Sequence, residues 1–173
     1  MGRRSRDTYP PTGDECFRIT GELAVSLPAL IRTDGLPTVR DLGPSEAVVL
    51  ELATIVSTVE EVTNRNSMIV GEEYLRRISL AGDYLPLGYQ HREWLSEHWR
   101  ESATLVSLLG EVEIHFPGSI CVRGDGVRRV PTLRTHFPRL CDGGGPPIWI
   151  AGWHRLDLGF LPSDRIAVAR HRN

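Results

Sequence analysis

The chain contains no lysine: all 20 of its basic residues are arginine. A GC-rich coding bias accounts for this without function. Guanidinium forks favoured for phosphate contacts account for it with one. Cysteine is scarce, occurring only at 16, 121 and 141, with no CxxC spacing. That argues against a thiolate metal site or a disulfide framework and fits a reducing cytoplasm. No eighteen consecutive residues are apolar, so no membrane-spanning helix is expected. Residues 1–11 are polar and arginine-bearing and lack the apolar stretch of a secretory signal, so the expected location is cytoplasmic. Neither a Gly-x-Ser-x-Gly elbow nor a zinc signature occurs. Gly143-Gly144-Gly145 is followed by Pro146-Pro147, not by the Gly-Lys-Ser/Thr of a phosphate-cradling loop. These absences lead us to expect no cofactor and no metal.

The residues that are present suit a folded protein: 173 in all, 40% hydrophobic and 24% charged, enough chain to bury a sizeable core. The net charge of -2 hides an asymmetry. Residues 45–110 carry five arginines against ten acids, whereas residues 111–173 carry nine against six. A solvated glutamate face explains the first as well as a partner surface does. The second is a modest basic surface that could meet a polyanion.

Residues 1–14 read as a disordered tail, and Cys16–Thr20 as a short strand. Ser45 is a good helix N-cap, and Val48, Leu52, Ile55, Val59 and Val62 recur at helical spacing, predicting a helix over 46–64. A second helix is predicted over 67–81, with Val70, Tyr74, Leu75 and Ile78 inward. A third is predicted over 90–109, with Leu95, Trp99, Val106 and Leu109 inward. Beyond Gly110 the period becomes two. Val112, Ile114 and Phe116 alternate with Glu111, Glu113 and His115, which places the latter three on the solvent side of a strand. Gly124-Asp125-Gly126 signals a hairpin between strands at 119–123 and 127–133. Pro131 predicts an edge or shortened strand there. Residues 148–151 and 165–170 complete the strands. The expected fold class is α+β: a helical N-terminal and middle part of three helices, packed on a small antiparallel sheet or barrel at the C-terminus. The expected organisation is a tail (1–14), a mainly helical region (15–110) and a β-rich basic region (111–173).

Arg123-Gly124-Asp125 spells an adhesion tripeptide, but in this hairpin plain turn chemistry explains it. His91 and His98 lie seven apart and read as surface histidines, since a helical metal pair is spaced by four. The candidate nucleic-acid contacts are Arg123, Arg128, Arg129, Arg134, Arg139, Arg155 and Arg165. Arg128 and Arg129 point to opposite faces of their strand. His136 and His154 are candidate acid–base groups, which beside guanidinium groups could serve a metal-free ribonuclease. The alternative is that all of these merely solvate a sheet face.

Residues 147–170 carry Ile148 and Ile150, then Gly152, then Gly159-Phe160, then Ser163-Asp164 before Ile166 and Val168. This run resembles the SymE-type toxin family, whose domain looks like one arm of the AbrB swapped-hairpin fold. Trp153 stands one position before the family's tryptophan, and Ser163 replaces a glycine. The likeness implies that Gly152 ends a strand, that Leu156 and Phe160 cap a barrel, that Asp164 closes a turn, and that a homodimer forms. It also implies a bacterial toxin-like or regulatory protein acting on RNA or DNA, by binding or by metal-independent cleavage. Two alternatives stand beside it. One is a non-enzymatic immunity or antitoxin-like module that meets a protein partner through the acidic helical region with Trp94 and Trp99. The other is a DNA-binding regulator.

Overall fold

The computed structural model describes residues 17–20, 25–29, 38–41, 46–55, 69–80, 82–139, 143–161 and 163–170. The expected tail at 1–14 lies outside them. In chain order the elements are β1 (Phe17–Ile19), β2 (Val25–Leu27), β3 (Thr38–Asp41), β4 (Val48–Ile55), β5 (Ile69–Val70), α1 (Gly71–Leu80), β6 (Tyr84–Pro86) and α2 (Tyr89–His98). A 3-10 turn (Trp99–Glu101) and α3 (Ala103–Ser107) come next. Then come β7 (Ile114–His115), β8 (Ser119–Val122), β9 (Arg128–His136), β10 (Ile148–Arg155), β11 (Gly159–Phe160) and β12 (Arg165–Arg170). The fold is α+β, but its helices lie in mid-chain, between strands from both ends of the sequence. The main sheet runs β1-β4-β12-β7-β9-β8-β3, with β10 added on β9, β2 on β4 and β6 on β12. It is open, not a barrel. It is also mixed, because β12 and β7 pair in parallel. β5 and β11 form a separate two-stranded ladder.

The predicted helix over 46–64 is instead a strand where it is described. Val48, Leu50 and Leu52 are buried while Val49 faces solvent, the two-residue rhythm of β structure. β1 and β2 pair along one edge of β4 and β12 along the other. This central position suits an apolar, β-branched run that has weak helix propensity. The remainder of the predicted helix, 56–64, is outside the described residues.

The second predicted helix is present as α1, with Tyr74 and Ile78 buried. Gly71, its first residue, packs so closely on the Leu156 backbone that a Cβ there would lie 2.2 Å from the Leu156 carbonyl oxygen. The third predicted helix is broken in two. Ser102 is extended (φ -110°, ψ 110°) and its hydroxyl accepts the Leu105 N–H, so it caps a new helix instead of continuing the old one. The break re-registers the residues of α3. Leu105 and Leu108 are buried and Val106 is exposed, against the expectation for Val106. His91 is buried too, not on the surface. Its Nδ1 accepts the Gly88 N–H at the start of α2.

The β8–β9 hairpin forms as expected. Gly126, at φ +73°, donates its N–H to the Arg123 carbonyl, and Asp125 accepts the Val127 N–H. Pro131, however, lies inside a nine-residue strand with neighbours on both sides. β8 pairs with β9 up to Arg129, and β7 takes over at Thr132. The missing proline N–H therefore falls at the hand-over, where the Pro131 carbonyl still accepts the Phe116 N–H. β10 runs through Gly152 to Arg155, so Gly152 does not end a strand. Asp164 does close a turn: its carboxylate accepts the Leu161 N–H.

The sheet is covered on both faces. α2 and α3 bury Leu50, Leu52, Ile114, Leu133 and Trp149 on one side. The Trp149 indole N–H donates to the Leu105 carbonyl there. α1 covers Ile120, Val130, Phe160, Ile166 and Val168 on the other.

Candidate functional site

Alternation along β10 sends Trp153 to the α2 side and its neighbour His154 to the α1 side. Each is the centre of a cluster.

On the α1 side, the β7–β9 register sets His115 opposite Thr132, and the β9–β10 register sets His154 opposite Val130. The two imidazoles meet edge to face, 5.1 Å apart. Phe160 joins them, its centroid 4.8 Å from the His115 ring and 4.4 Å from the His154 ring. Tyr74 stacks on the far face of the group, 3.9 Å from Phe160. Two carboxylates complete it. Asp164 Oδ2 lies 3.3 Å from His115 Nε2, and Glu113 Oε1 lies 3.9 Å from His154 Nδ1. His115 is wholly buried, so the expectation that alternation would place it in solvent fails. β7 is covered on both faces, and its polar residue faces a second core rather than water.

This cluster is short of hydrogen bonds. Both ring nitrogens of His115, the Nε2 of His154 and the Tyr74 hydroxyl are buried without a hydrogen-bond partner. The 3.3 Å approach of Asp164 to His115 is an electrostatic contact and not an aligned hydrogen bond. A buried polar group without a partner costs about 1–3 kcal/mol, a large share of a stability of about 5–15 kcal/mol. Burial pushes the His154 pKa down from its ordinary 6.5, with the neighbouring His115 adding to the shift. The His154 ring is therefore neutral near pH 7. Burial likewise raises the Tyr74 hydroxyl well above 10, helped by Asp164 and Glu113. One ligand atom each from Glu113, His115 and His154 lies within 4.8 Å of the other two. Neutral imidazole and carboxylate are the residue types that ligate first-row divalent ions.

On the α2 side, the Arg92 guanidinium lies 4.6 Å from the Tyr89 ring centroid and 5.1 Å from that of Trp153. The two rings are nearly parallel, at 15° and 5.7 Å. Arg92 is buried and donates to the Gly152 carbonyl at 3.0 Å and to Glu93 at 2.6 Å. Burial lowers its pKa below the ordinary arginine value. Arg123, exposed on the hairpin, sits 5.6 Å from the Trp153 ring.

The seven candidate arginines are divided by the sheet. Arg123 lies beside Trp153. Arg129 and Arg155 are cross-strand partners two residues along from it. Arg129 is chelated by Asp125 and Arg155 by Asp157, the latter at 2.6 Å. These pairings depress both carboxyl pKa values. Arg128 projects to the other face and pairs with Glu72 of α1. Arg134 is exposed and crosses Gly152 on that same face. Arg139 is exposed near the Gly143–Gly144 turn. Arg165 donates to the Ser163 carbonyl. The two candidate histidines are not brought together. His136 is exposed and pairs with Ile148, six residues along β9 from the partner of His154, a span of about 20 Å.

Sequence reasoning missed Glu113, His115, Tyr74, Tyr89 and Arg92. The alternation over 111–116 marked the first two as a polar face, and only the three-strand register reveals what they meet. Compared with protein-family models, curated proteins and solved structures, the chain matches none.

Proposed function

We propose that this protein binds nucleic acid, in single-stranded form, through the Trp153 face. The observation that carries the reading is the convergence of two guanidinium groups, Arg92 and Arg123, on one half-buried indole with a tyrosine ring alongside. Aromatic rings beside arginines let bases stack without regard to sequence while an exposed cation, here Arg123, meets the backbone and buried Arg92 holds the two rings in place. Arg129 and Arg155 lie on the same face. Their partners Asp125 and Asp157 are exposed, so a phosphate can displace those carboxylates at small cost. The proposal is confined to binding, because the two candidate acid–base groups, His136 and His154, are set apart along β9 and β10. A toxin-like or regulatory role fits it equally.

The test is retention of single-stranded RNA and DNA oligonucleotides by the full chain, at two salt concentrations. The affinity is expected to fall steeply as salt rises, since phosphate neutralisation releases counterions. Arg123→Ala is expected to weaken it several-fold, and Arg128→Ala, on the opposite face, to leave it nearly unchanged. Absence of binding at low salt, or equal effects of the two substitutions, would sink the reading.

A second reading, docking of a protein partner, has a narrower basis. Phe137 is exposed over nearly two-thirds of its surface, and Leu158 and Leu161 over about half. Trp99, one of the two tryptophans expected to face such a partner, is buried instead, and Trp94 stacks on His98.

A further inference from the structure

We infer that Glu113, His115 and His154 bind one divalent first-row transition ion, of the zinc type, on the α1 side of the sheet. The inference is independent of the nucleic-acid reading, which concerns the opposite face. Three observations support it. First, the donor set is two imidazoles and a carboxylate, the combination that holds such ions with coordination positions left over for water or a substrate. Second, His115 is entirely buried and neither of its ring nitrogens has a hydrogen-bond partner, while His154 Nε2 and the Tyr74 hydroxyl are unpartnered beside it. The His115 nitrogens, kept from water and from protein donors, are what an ion would use, and His154 faces Glu113 through its other nitrogen, Nδ1. Third, the spacing is close to what coordination requires. Metal–ligand bonds of about 2.0–2.2 Å set tetrahedral donors about 3.4 Å apart. Glu113 Oε1 and His154 Nδ1 are already 3.9 Å apart, and the full triad lies within 4.8 Å.

The surroundings suit the role. Glu113 and His154 keep 31% and 19% of their side-chain surface exposed, which gives an ion a way in, whereas His115 forms the closed back of the site. Asp164 is fixed by the Leu161 N–H and lies 3.3 Å from His115 Nε2. Its charge favours the tautomer with the proton on Nε2, which would leave Nδ1 of His115 to the ion, through an electrostatic contact and not an aligned hydrogen bond. Phe160 and Tyr74 wall the site on the core side and exclude solvent from the imidazoles.

The experiment uses the full chain, stripped with a chelator and titrated with zinc or cobalt(II). We expect uptake of one equivalent, a visible cobalt d–d spectrum of nitrogen–oxygen type, and a rise in melting temperature on adding zinc. Glu113→Gln, a near-isosteric change at the exposed side, is expected to weaken zinc binding about tenfold or more while leaving the melting temperature of the stripped protein unchanged. His154→Gln is expected to abolish the cobalt spectrum. His136→Gln, remote and exposed, is expected to change nothing. Failure of the stripped wild type to take up either ion overturns the proposal. So does wild-type affinity in Glu113→Gln and His154→Gln, which would assign the ion to other groups. If His154→Gln does not fold, the Glu113→Gln comparison still decides.

Discussion

Trp153 and His154 are consecutive residues of β10, yet the two sides of the sheet they serve are organised differently. Around Trp153 the charges are paired: Arg129 with Asp125 and Arg155 with Asp157 at the surface, and buried Arg92 with Glu93 and a carbonyl, its Nε alone left without a partner, while Arg123 lies against the indole face. Around His154, the Tyr74 hydroxyl, both His115 nitrogens and His154 Nε2 are buried without a hydrogen-bond partner. Exposed ion pairs contribute little to folding and exchange readily with a ligand. Buried unpartnered groups work against folding. Four such atoms gathered in one cluster are the reason to look there for a use other than stability.

The contrast can be broken most sharply at Phe160, which touches Tyr74, His115 and His154 together. Phe160→Ala should cost about 3–5 kcal/mol in urea denaturation, and the half-exposed Trp153→Ala clearly less. Equal costs would erase the difference between the two sides. Gly71→Ala should come next, at about 1–3 kcal/mol, because the new methyl group must displace the Leu156 backbone beneath α1.

Acid should separate the two regions in pH. The folded pKa of His154 lies below 6.5, so below that pH the unfolded chain takes up the proton more readily than the folded one. In chelator-treated protein, stability is fully present above 6.5 and falls as the pH drops from there toward the folded value. Paired carboxylates respond later. Glu73 is held at about 2 instead of 4.5 by its bonds to Arg76, against the opposing effect of burial and with help from Arg77. Its contribution is lost only between pH 4.5 and about 2. Denaturation midpoints taken from neutral to acid pH should show both phases in the wild type and only the later one in His154→Gln. The smallest effect belongs to Arg129→Ala and Arg155→Ala. Melting temperature should not move measurably, and a clear drop would show that these pairs are structural and unavailable to a ligand.

The α+β class, the hairpin around Gly126 and the strand Arg165–Arg170 are legible in the sequence because each rests on local chemistry: turn residues, or a period of two. β4 is not, because Val48, Leu52 and Ile55 fit a helical stripe as well as a strand. What decides between them is the pairing with β12, more than a hundred residues away. Ser102 is open to reading as a cap, but the Leu95 and Trp99 stripe carries a predicted helix past it. Of the candidate site, the sequence points to His154 and not to His115. Alternation separates inside from outside only where one face of a strand is wet, and β7 is covered on both. Arg92 and Tyr89 carry no motif at all. Their relation to Trp153 comes from packing α2 across β10.

β12 lies near the C-terminal end of the sequence, yet β4 lies along one side of it and β6 and β7 share the other. During synthesis, at roughly 5–20 residues per second, the early strands must wait for it, since nothing translated before residue 165 can occupy that slot. Folding of this chain should therefore be governed by late, long-range closure and should be slow for its size. A nascent chain halted at residue 160 would present the open flanks of β4 and β7 to chaperones and to other chains.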